Sequence, residues 1–192
     1  MAAKETILEE IRRFPGQAGI YYHSLVSGET WGYRDTELYL AASIVKLPLM
    51  AAILLWKSRG QTSFDDPVTI REDQKIPGCG AVQFLNGDVT LTVGELSKLM
   101  ITISDSCATN ALFRHYGAMA IHEAFLELGM IGTQFNREYW DAERENRGIN
   151  NYFVPREMGC LLQKMYDRTL VDEASSEWLE QILRQQQINH KL

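Results

Sequence analysis

The sequence predicts an α+β protein in which helices predominate and a short sheet begins near the N-terminus. Two β-rich runs, residues 18–25 and 30–33, flank Val26-Ser27-Gly28-Glu29, a pattern typical of a hairpin. Most later segments carry helical patterns of apolar residues instead. With 192 residues, 45% of them hydrophobic, the chain is long enough for one compact unit or for two small interleaved lobes.

The first half of the chain contains two predicted helices of different character. Residues 4–13 alternate apolar and charged positions with helical spacing and stop at Pro15-Gly16, which predicts an amphipathic helix. Residues 43–56 are almost wholly apolar, which indicates a helix buried in the core. Pro48 is compatible with that helix only near its first turn, where a missing N–H costs little.

The middle of the chain is predicted to be irregular first and helical afterwards. Residues 61–90 are rich in Gly, Pro, Asp and Asn, and we expect irregular structure there. Thr92-Val-Gly-Glu95 is a capping box that opens the next helix. Two short helices follow, over 107–115 and 120–128, each closed by a glycine. The closing residues are Gly117 and Gly129.

The last third combines a long polar segment with two further helices. Residues 132–153 contain few aliphatic side chains, which predicts a functional loop or lid. Pro155 suits the first turn of a helix over 155–166. Ser175 or Ser176 is expected to cap a last helix through about Gln187.

No strong strand is predicted after the hairpin, and a two-stranded hairpin alone is marginal in water. We therefore expect the sheet of this chain to be incomplete. It would be completed either by a C-terminal segment beyond Leu192 or by a second polypeptide.

Composition disfavours several classes of function. The net charge of −6 lacks the basic excess of a nucleic-acid binder. The longest apolar run, residues 47–56, is too short to span a bilayer, and the N-terminus lacks the apolar core of a signal peptide. This predicts a cytoplasmic protein, or a secreted or periplasmic one if a signal peptide precedes the sequence. Scattered cysteines and histidines predict free thiols, no metal site and no cofactor: Cys79, Cys107, Cys160, His23, His115, His122 and His190.

Two hydroxyl-bearing motifs are the candidates for chemistry. Ser43 and Lys46 lie one helical turn apart, so a partly desolvated lysine could act as the base for a serine nucleophile. The alternative is a helix-capping serine and a solvated first-turn lysine. Ser104-Asp105-Ser106 closes an apolar helix and has the same two interpretations, a catalytic turn or simple capping.

The string from Leu91 to Asn110 resembles the second-motif helix of the class A β-lactamases and related penicillin-recognising serine enzymes. Ser43-Ile44-Val45-Lys46-Leu47-Pro48 is similar to their nucleophile motif, in which the proline is common. The resemblance covers nearly all of residues 16–192. It implies an αβα sandwich of the β-lactamase/transpeptidase-like type.

This resemblance implies two lobes, with a helical lobe over 40–172 inserted into a partial α/β lobe formed by 1–39 and 173–192. It also implies acyl transfer from a β-lactam or a peptide-like substrate, with Ser43 as nucleophile and its N–H as half of an oxyanion hole. Lys46 would be the base and Ser104 the proton relay. The implied substrate-binding residues are Ser106, which would also contact Lys46, and Gly78 and Gly80 at the rim of the cleft.

Three departures from the family pattern leave alternatives open. Ser106 stands where the family has asparagine, no Lys-Thr-Gly triplet follows, and no Glu-x-x-Leu-Asn supplies a deacylating glutamate. Glu143 and Glu145, together with Glu138, are the substitute candidates for that base. The alternatives are a penicillin-binding or D,D-peptidase-like protein, a glutaminase-like amidase, and an inactive truncated or ligand-binding homologue.

Overall fold

A computed structural model of the protein describes residues 2–189. His190 and the rest of the C-terminal end of the expected α/β lobe lie outside the described residues. Within that range the helices are α1 (Ala2–Arg13), α2 (Lys46–Ser58), α3 (Val93–Thr102), α4 (Ser106–Tyr116), α5 (Ala118–Glu127), α6 (Ala142–Asn146), α7 (Pro155–Tyr166) and α8 (Glu173–Leu183). The strands are β1 (Ile20–His23), β2 (Thr30–Tyr33), β3 (Tyr39–Leu40), β4 (Pro67–Ile70), β5 (Val89–Thr92) and β6 (Tyr152–Phe153).

The α+β class and the N-terminal hairpin are confirmed. Strands β1 and β2 pair antiparallel, with Ile20 opposite Tyr33 and His23 opposite Thr30. Gly28 adopts a positive φ of 72° in the turn, a conformation that glycine reaches without a steric penalty. Of the strands described, β2 is the sole partner of β1, so one edge of β1 is unpaired.

The expectation that residues 61–90 are irregular holds only outside β4 and the start of β5, and the expectation that no strong strand follows the hairpin is wrong. Strand β4 pairs antiparallel with β5, and β3 pairs with β6, which gives two further two-stranded sheets. The residues of β4 alternate between exposed and buried, as a half-buried strand requires. Because 18 residues separate β4 from β5, the pairing carries no hairpin signal in the sequence.

The apolar segment after Ser43 forms the central helix, as predicted. A single 3-10 turn over Ser43–Val45 leads into α2, whose residues from Lys46 to Leu55 are all buried. Pro48 is the third residue of α2, where the backbone N–H has no partner within the helix. The proline therefore fits within the first turn of the helix without kinking it.

Side-chain caps define the ends of the helices that follow. Thr92 Oγ1 accepts from the Glu95 N–H at 3.1 Å, and Glu95 Oε2 accepts from the Thr92 N–H at 2.8 Å, which confirms the capping box. The prediction that Ser175 or Ser176 caps the last helix is wrong. Asp172 is the cap, because its Oδ1 accepts from the Ser175 N–H at 2.7 Å, and both serines lie buried inside α8.

The core surrounds α2, which packs against α3, α5 and α8, while α7 lies between α8 and strand β1. The proposed lobe boundaries at residues 39 and 172 stay a prediction. None of the helices formed by residues 2–189 combines the length and the apolar character needed to cross a membrane. All three cysteines lie in the described part of the chain and are free thiols.

Candidate active site

The structure brings Ser43, Lys46 and Ser104 into one hydrogen-bonded cluster. Lys46 Nζ donates to Ser43 Oγ at 3.3 Å, to Ser104 Oγ at 2.8 Å and to the Ser104 carbonyl oxygen at 2.6 Å. Ser104 Oγ donates to Ser43 Oγ at 2.8 Å. Ser43 is exposed, whereas Lys46 and Ser104 are buried beneath it. The cluster therefore presents one accessible hydroxyl backed by an amine and a second hydroxyl.

Backbone geometry aims these groups at one another. Ser43 opens the 3-10 turn before α2, so its N–H belongs to the unpaired donors at the start of a helix. Ser104 has a φ of 56°, in the left-handed region that non-glycine residues seldom adopt. This conformation turns both its hydroxyl and its carbonyl toward Lys46. Such strain is typical of functional sites, where the surrounding structure enforces it.

Burial makes Lys46 a stronger candidate for a base than an ordinary lysine. Desolvation of the buried amine lowers the pKa of Lys46 to about 8, against weaker opposing effects of Cys79 and Asp105. All three N–H groups of the charged form donate to oxygen atoms of the cluster. Loss of one proton leaves a lone pair that can accept the Ser43 hydroxyl proton.

Asp105 anchors the rim of the site below the cluster. Its Oδ2 accepts from the N–H groups of Ala81 and Val82 at 2.7 and 2.9 Å, and its Oδ1 caps α4 through Ala108 at 2.8 Å. A side chain at Gly80 would place its Cβ 2.2 Å from Asp105 Oδ2, so only glycine permits this approach. The carboxylate thus joins the glycine-rich rim to the turn that carries Ser104.

Asp105→Ala is expected to lower the free energy of unfolding by about 3 kcal/mol, because two buried N–H groups and one half-buried N–H group lose their acceptor and each buried one costs about 1–3 kcal/mol. Urea unfolding followed by circular dichroism measures the change. The exposed Asp73, replaced by alanine, is the matched control and should change stability by less than about 0.5 kcal/mol. Equal effects of the two substitutions would contradict the anchoring role.

The expected substrate-binding residues lie at the rim, although one expected contact is missing. Ser106 is buried and its N–H donates to the Cys79 carbonyl at 2.9 Å, beside Gly78 and Gly80. A Cβ at Gly78 would lie 2.9 Å from Ser106 Oγ. The hydrogen bonds of Lys46 Nζ go to Ser43 and Ser104, so the expected contact between Ser106 and Lys46 is not formed. The Ser106 side chain is shorter than the asparagine that the family has at this position, so it does not reach Lys46.

The candidate deacylation bases are not brought to the cluster. Glu143 pairs with Arg147 at 3.8 Å, and Glu145 pairs with Arg137 at 3.2 Å. Both glutamates are exposed and lie within the short helix α6. Glu138 pairs with Arg114. All three candidates thus pair with arginines, and none is hydrogen-bonded to Ser43.

Tyr139 is the residue near the cluster whose position the sequence did not reveal. The sequence marks the Tyr139-Trp140 pair only as aromatic residues in a polar loop. In the structure the Tyr139 ring lies over Lys46 Nζ, 4.9 Å from its centroid. The contact joins residues 93 positions apart, and no local pattern could have indicated it.

Comparison with solved structures establishes the class of protein that this fold defines. The chain superposes on PBP-A with a TM-score of 0.86 at 27% identity, covering 96% of this chain and 69% of that one. A β-lactamase from Sphaerobacter thermophilus gives a TM-score of 0.84 at 26% identity, with 95% and 69% covered. The αβα architecture is therefore that of the β-lactamase/transpeptidase-like class.

The chain belongs to the beta-lactamase enzyme family, whose family model matches residues 2–192. A β-lactamase from Rhodobacter capsulatus is 29% identical over 137 residues, which cover 71% of this chain and 46% of that protein. The carbapenem-hydrolyzing beta-lactamase KPC of Klebsiella oxytoca is 30% identical over 132 residues, covering 68% of this chain and 44% of that protein. The chain thus spans less than half the length of these curated relatives.

Proposed function

We propose that this protein is a serine hydrolase that forms an acyl-enzyme with β-lactams through Ser43. The observation that supports this most is the hydrogen-bonded cluster of Ser43, Lys46 and Ser104, with only the Ser43 hydroxyl exposed. Family membership supports the same chemistry. A relative of the same fold, a PBP-A mutant, is described as an acyl-enzyme complex with penicillin G.

The proposed acylation conserves every proton within the cluster. Neutral Lys46 takes the proton of Ser43 as Oγ attacks the carbonyl carbon of the lactam, and a tetrahedral oxyanion forms. The Ser43 N–H, unpaired at the helix start, donates to that oxyanion. When the C–N bond breaks, Ser104 gives its proton to the departing nitrogen and takes one from protonated Lys46. Lys46 is then neutral again, and the acyl group is an ester on Ser43.

Hydrolysis of that ester is proposed to be slow. Rapid hydrolysis needs a general base beside the attacking water, and the hydrogen bonds of the described cluster bring no carboxylate to Ser43. The carboxylates of Glu143 and Glu145 are engaged by arginines instead. The engagement of these carboxylates by arginines favours a second candidate function, penicillin binding, in which the acyl-enzyme persists instead of being hydrolysed.

Incubation with penicillin G followed by intact-protein mass spectrometry tests the proposal. The expected result is one adduct per chain, which peptide mapping assigns to Ser43, with little hydrolysis of a chromogenic β-lactam. Rapid hydrolysis without a lasting adduct would overturn the slow step. Absence of both adduct and hydrolysis would overturn β-lactam acylation, and a panel of esters and glutamine amides would then test the amidase alternative.

Acylation is expected to accelerate with rising pH and to level off above pH 8. Since the pKa of Lys46 is lowered to about 8, the amine is charged below that pH and cannot accept a proton. About one lysine in ten is neutral at pH 7, so the rate should rise nearly tenfold from pH 6 to 7. Rate constants for fluorescent penicillin labelling between pH 6 and 10 measure this. A flat or falling profile would contradict Lys46 as the base.

We also propose that a further polypeptide segment, in the same chain or in a second one, completes the sheet at the free edge of β1. The supporting observations are that unpaired edge and the exposed apolar side chains of Ile7, Phe14, Leu38 and Leu40. Co-expression with a polypeptide carrying the Lys-Thr-Gly strand of a relative should yield a stable complex that acylates faster. Failure to associate would contradict the proposal. We also propose the division into a helical lobe over 40–172 and an α/β lobe over 1–39 and 173–192. Limited proteolysis, with cleavage expected near residues 39 and 172, tests this division.

The β-lactam or peptide-like substrate and the cellular location are part of the same proposal. We propose that the protein is located in the cytoplasm or, if a signal peptide directs export, in the periplasm or outside the cell. Fractionation of cells that express the full gene, followed by detection of the protein in each fraction, decides between them.

A further inference from the structure

Tyr139 touches both the proposed base and the backbone that carries the nucleophile. Its ring centroid lies 4.9 Å from Lys46 Nζ, and its hydroxyl donates to the Ala42 carbonyl at 3.0 Å. Ala42 immediately precedes Ser43. Burial raises the pKa of the Tyr139 phenol above its usual value, so the hydroxyl stays neutral and serves as a donor to Ala42.

A buried asparagine holds Tyr139 in this position through its backbone. Asn110 Nδ2 donates to the Tyr139 carbonyl at 3.0 Å, and the Tyr139 N–H donates to Asn110 Oδ1 at 2.8 Å. Asn110 is 1% exposed and lies on α4, which begins two residues after Ser104. Helix α4 therefore begins just after Ser104, the proposed proton relay, and its residue Asn110 holds the backbone of Tyr139, which covers Lys46.

We propose that Tyr139 is a positioning residue for Lys46, whose ring excludes water from Nζ while its hydroxyl holds the peptide that leads into Ser43. This inference deepens the acyl-transfer function proposed above and rests on it for its catalytic meaning. The ring acts on the amine in two opposing ways. Its π face attracts the ammonium ion, which favours the charged form, whereas its apolar bulk removes water, which favours the neutral form.

Burial, to which the Tyr139 ring contributes by covering Nζ, is the largest influence on the pKa of Lys46. The pKa of Lys46 lies near 8 although Cys79, on the rim, and Asp105, between α3 and α4, both act to raise it. The other groups in contact with Nζ, Ser43 and Ser104, are neutral. Substitutions at Tyr139 leave all four of these residues in place. A change in Lys46 titration on altering residue 139 therefore reports the ring itself.

Nuclear magnetic resonance titration of the full chain, labelled with 13C at the lysine side chains, tests the inference directly. The Lys46→Met variant assigns the Lys46 signal. Tyr139→Ala admits water and should raise the midpoint by about one pH unit. Tyr139→Phe keeps the ring and should leave the midpoint within about 0.3 unit, while Tyr139→Leu keeps apolar bulk without a π face and should lower it. Tyr166→Ala, at an exposed tyrosine of α7, is the matched control.

An unchanged or lowered midpoint in folded Tyr139→Ala would overturn the inference, and so would a phenylalanine variant that titrates like the alanine variant. Thermal unfolding establishes that each variant is folded. If Tyr139→Ala does not fold, Tyr139→Leu decides the matter. A raised or unchanged Lys46 midpoint in the leucine variant would then overturn the inference. The titration uses the free protein. Failure of penicillin to acylate Ser43 would therefore count against the proposed function without altering this result.

Discussion

Ser43→Ala is expected to abolish covalent labelling by penicillin G. Without Oγ no ester can form, and removal of a serine nucleophile in comparable enzymes lowers the rate by about 10⁶-fold. Ser43 is exposed, and the hydrogen bonds of its side chain lie within the cluster. Its loss removes the acceptor of the Ser104 hydroxyl and of one Lys46 N–H at a site open to water, so the free energy of unfolding should fall by only about 1 kcal/mol. Intact-protein mass spectrometry and thermal unfolding of the same samples measure both quantities.

Ser58→Ala provides the matched control for this experiment. Ser58 is an exposed serine at the opposite end of α2, where its hydroxyl donates to the Leu55 carbonyl at 2.8 Å. The control should label at the rate of the unaltered protein. An adduct that persists in Ser43→Ala would place the nucleophile elsewhere, and peptide mapping would locate it.

Lys46→Met is expected to slow acylation by about 10³-fold, within the range that a general base contributes. Methionine has nearly the length of lysine but cannot accept a proton. Two effects on stability oppose each other: a costly desolvated amine is removed, while the buried Ser104 oxygens lose a donor at 2.6 and 2.8 Å. We expect the variant to remain folded. Stopped-flow acylation with a fluorescent penicillin gives the rate.

Two further variants separate basicity from charge and from general effects of substitution. Lys46→Arg retains a positive charge, but a guanidinium ion stays protonated and cannot serve as a base. It should therefore be as slow as Lys46→Met. Lys57→Met makes the same change at the exposed end of α2 and should leave the rate unaltered. Acylation by Lys46→Met within tenfold of the unaltered protein would refute the proposed role.

Local interactions explain which parts of the fold could be predicted. The capping box at Thr92 and Glu95 lies within one helical turn, and the all-apolar run after Ser43 specifies a buried helix by composition alone. The pairing of β4 with β5 escaped prediction because long-range strand pairs depend on burial against other elements. Ser175 was mistaken for a cap because Asp172, three residues earlier, competes for the same role.

By itself, the sequence determined the pair of reactive side chains, since a spacing of three residues on a helix places Ser43 and Lys46 on one face. It also indicated the Ser104 turn through the apolar helix that ends before it. Only the tertiary structure decided what surrounds the pair. It placed Ser104 against Lys46, Tyr139 over the amine, and Glu143 and Glu145 in ion pairs with arginines. The contacts of Lys46 with Ser104 and Tyr139 join residues 58 and 93 positions apart, and chain packing alone brings such residues together.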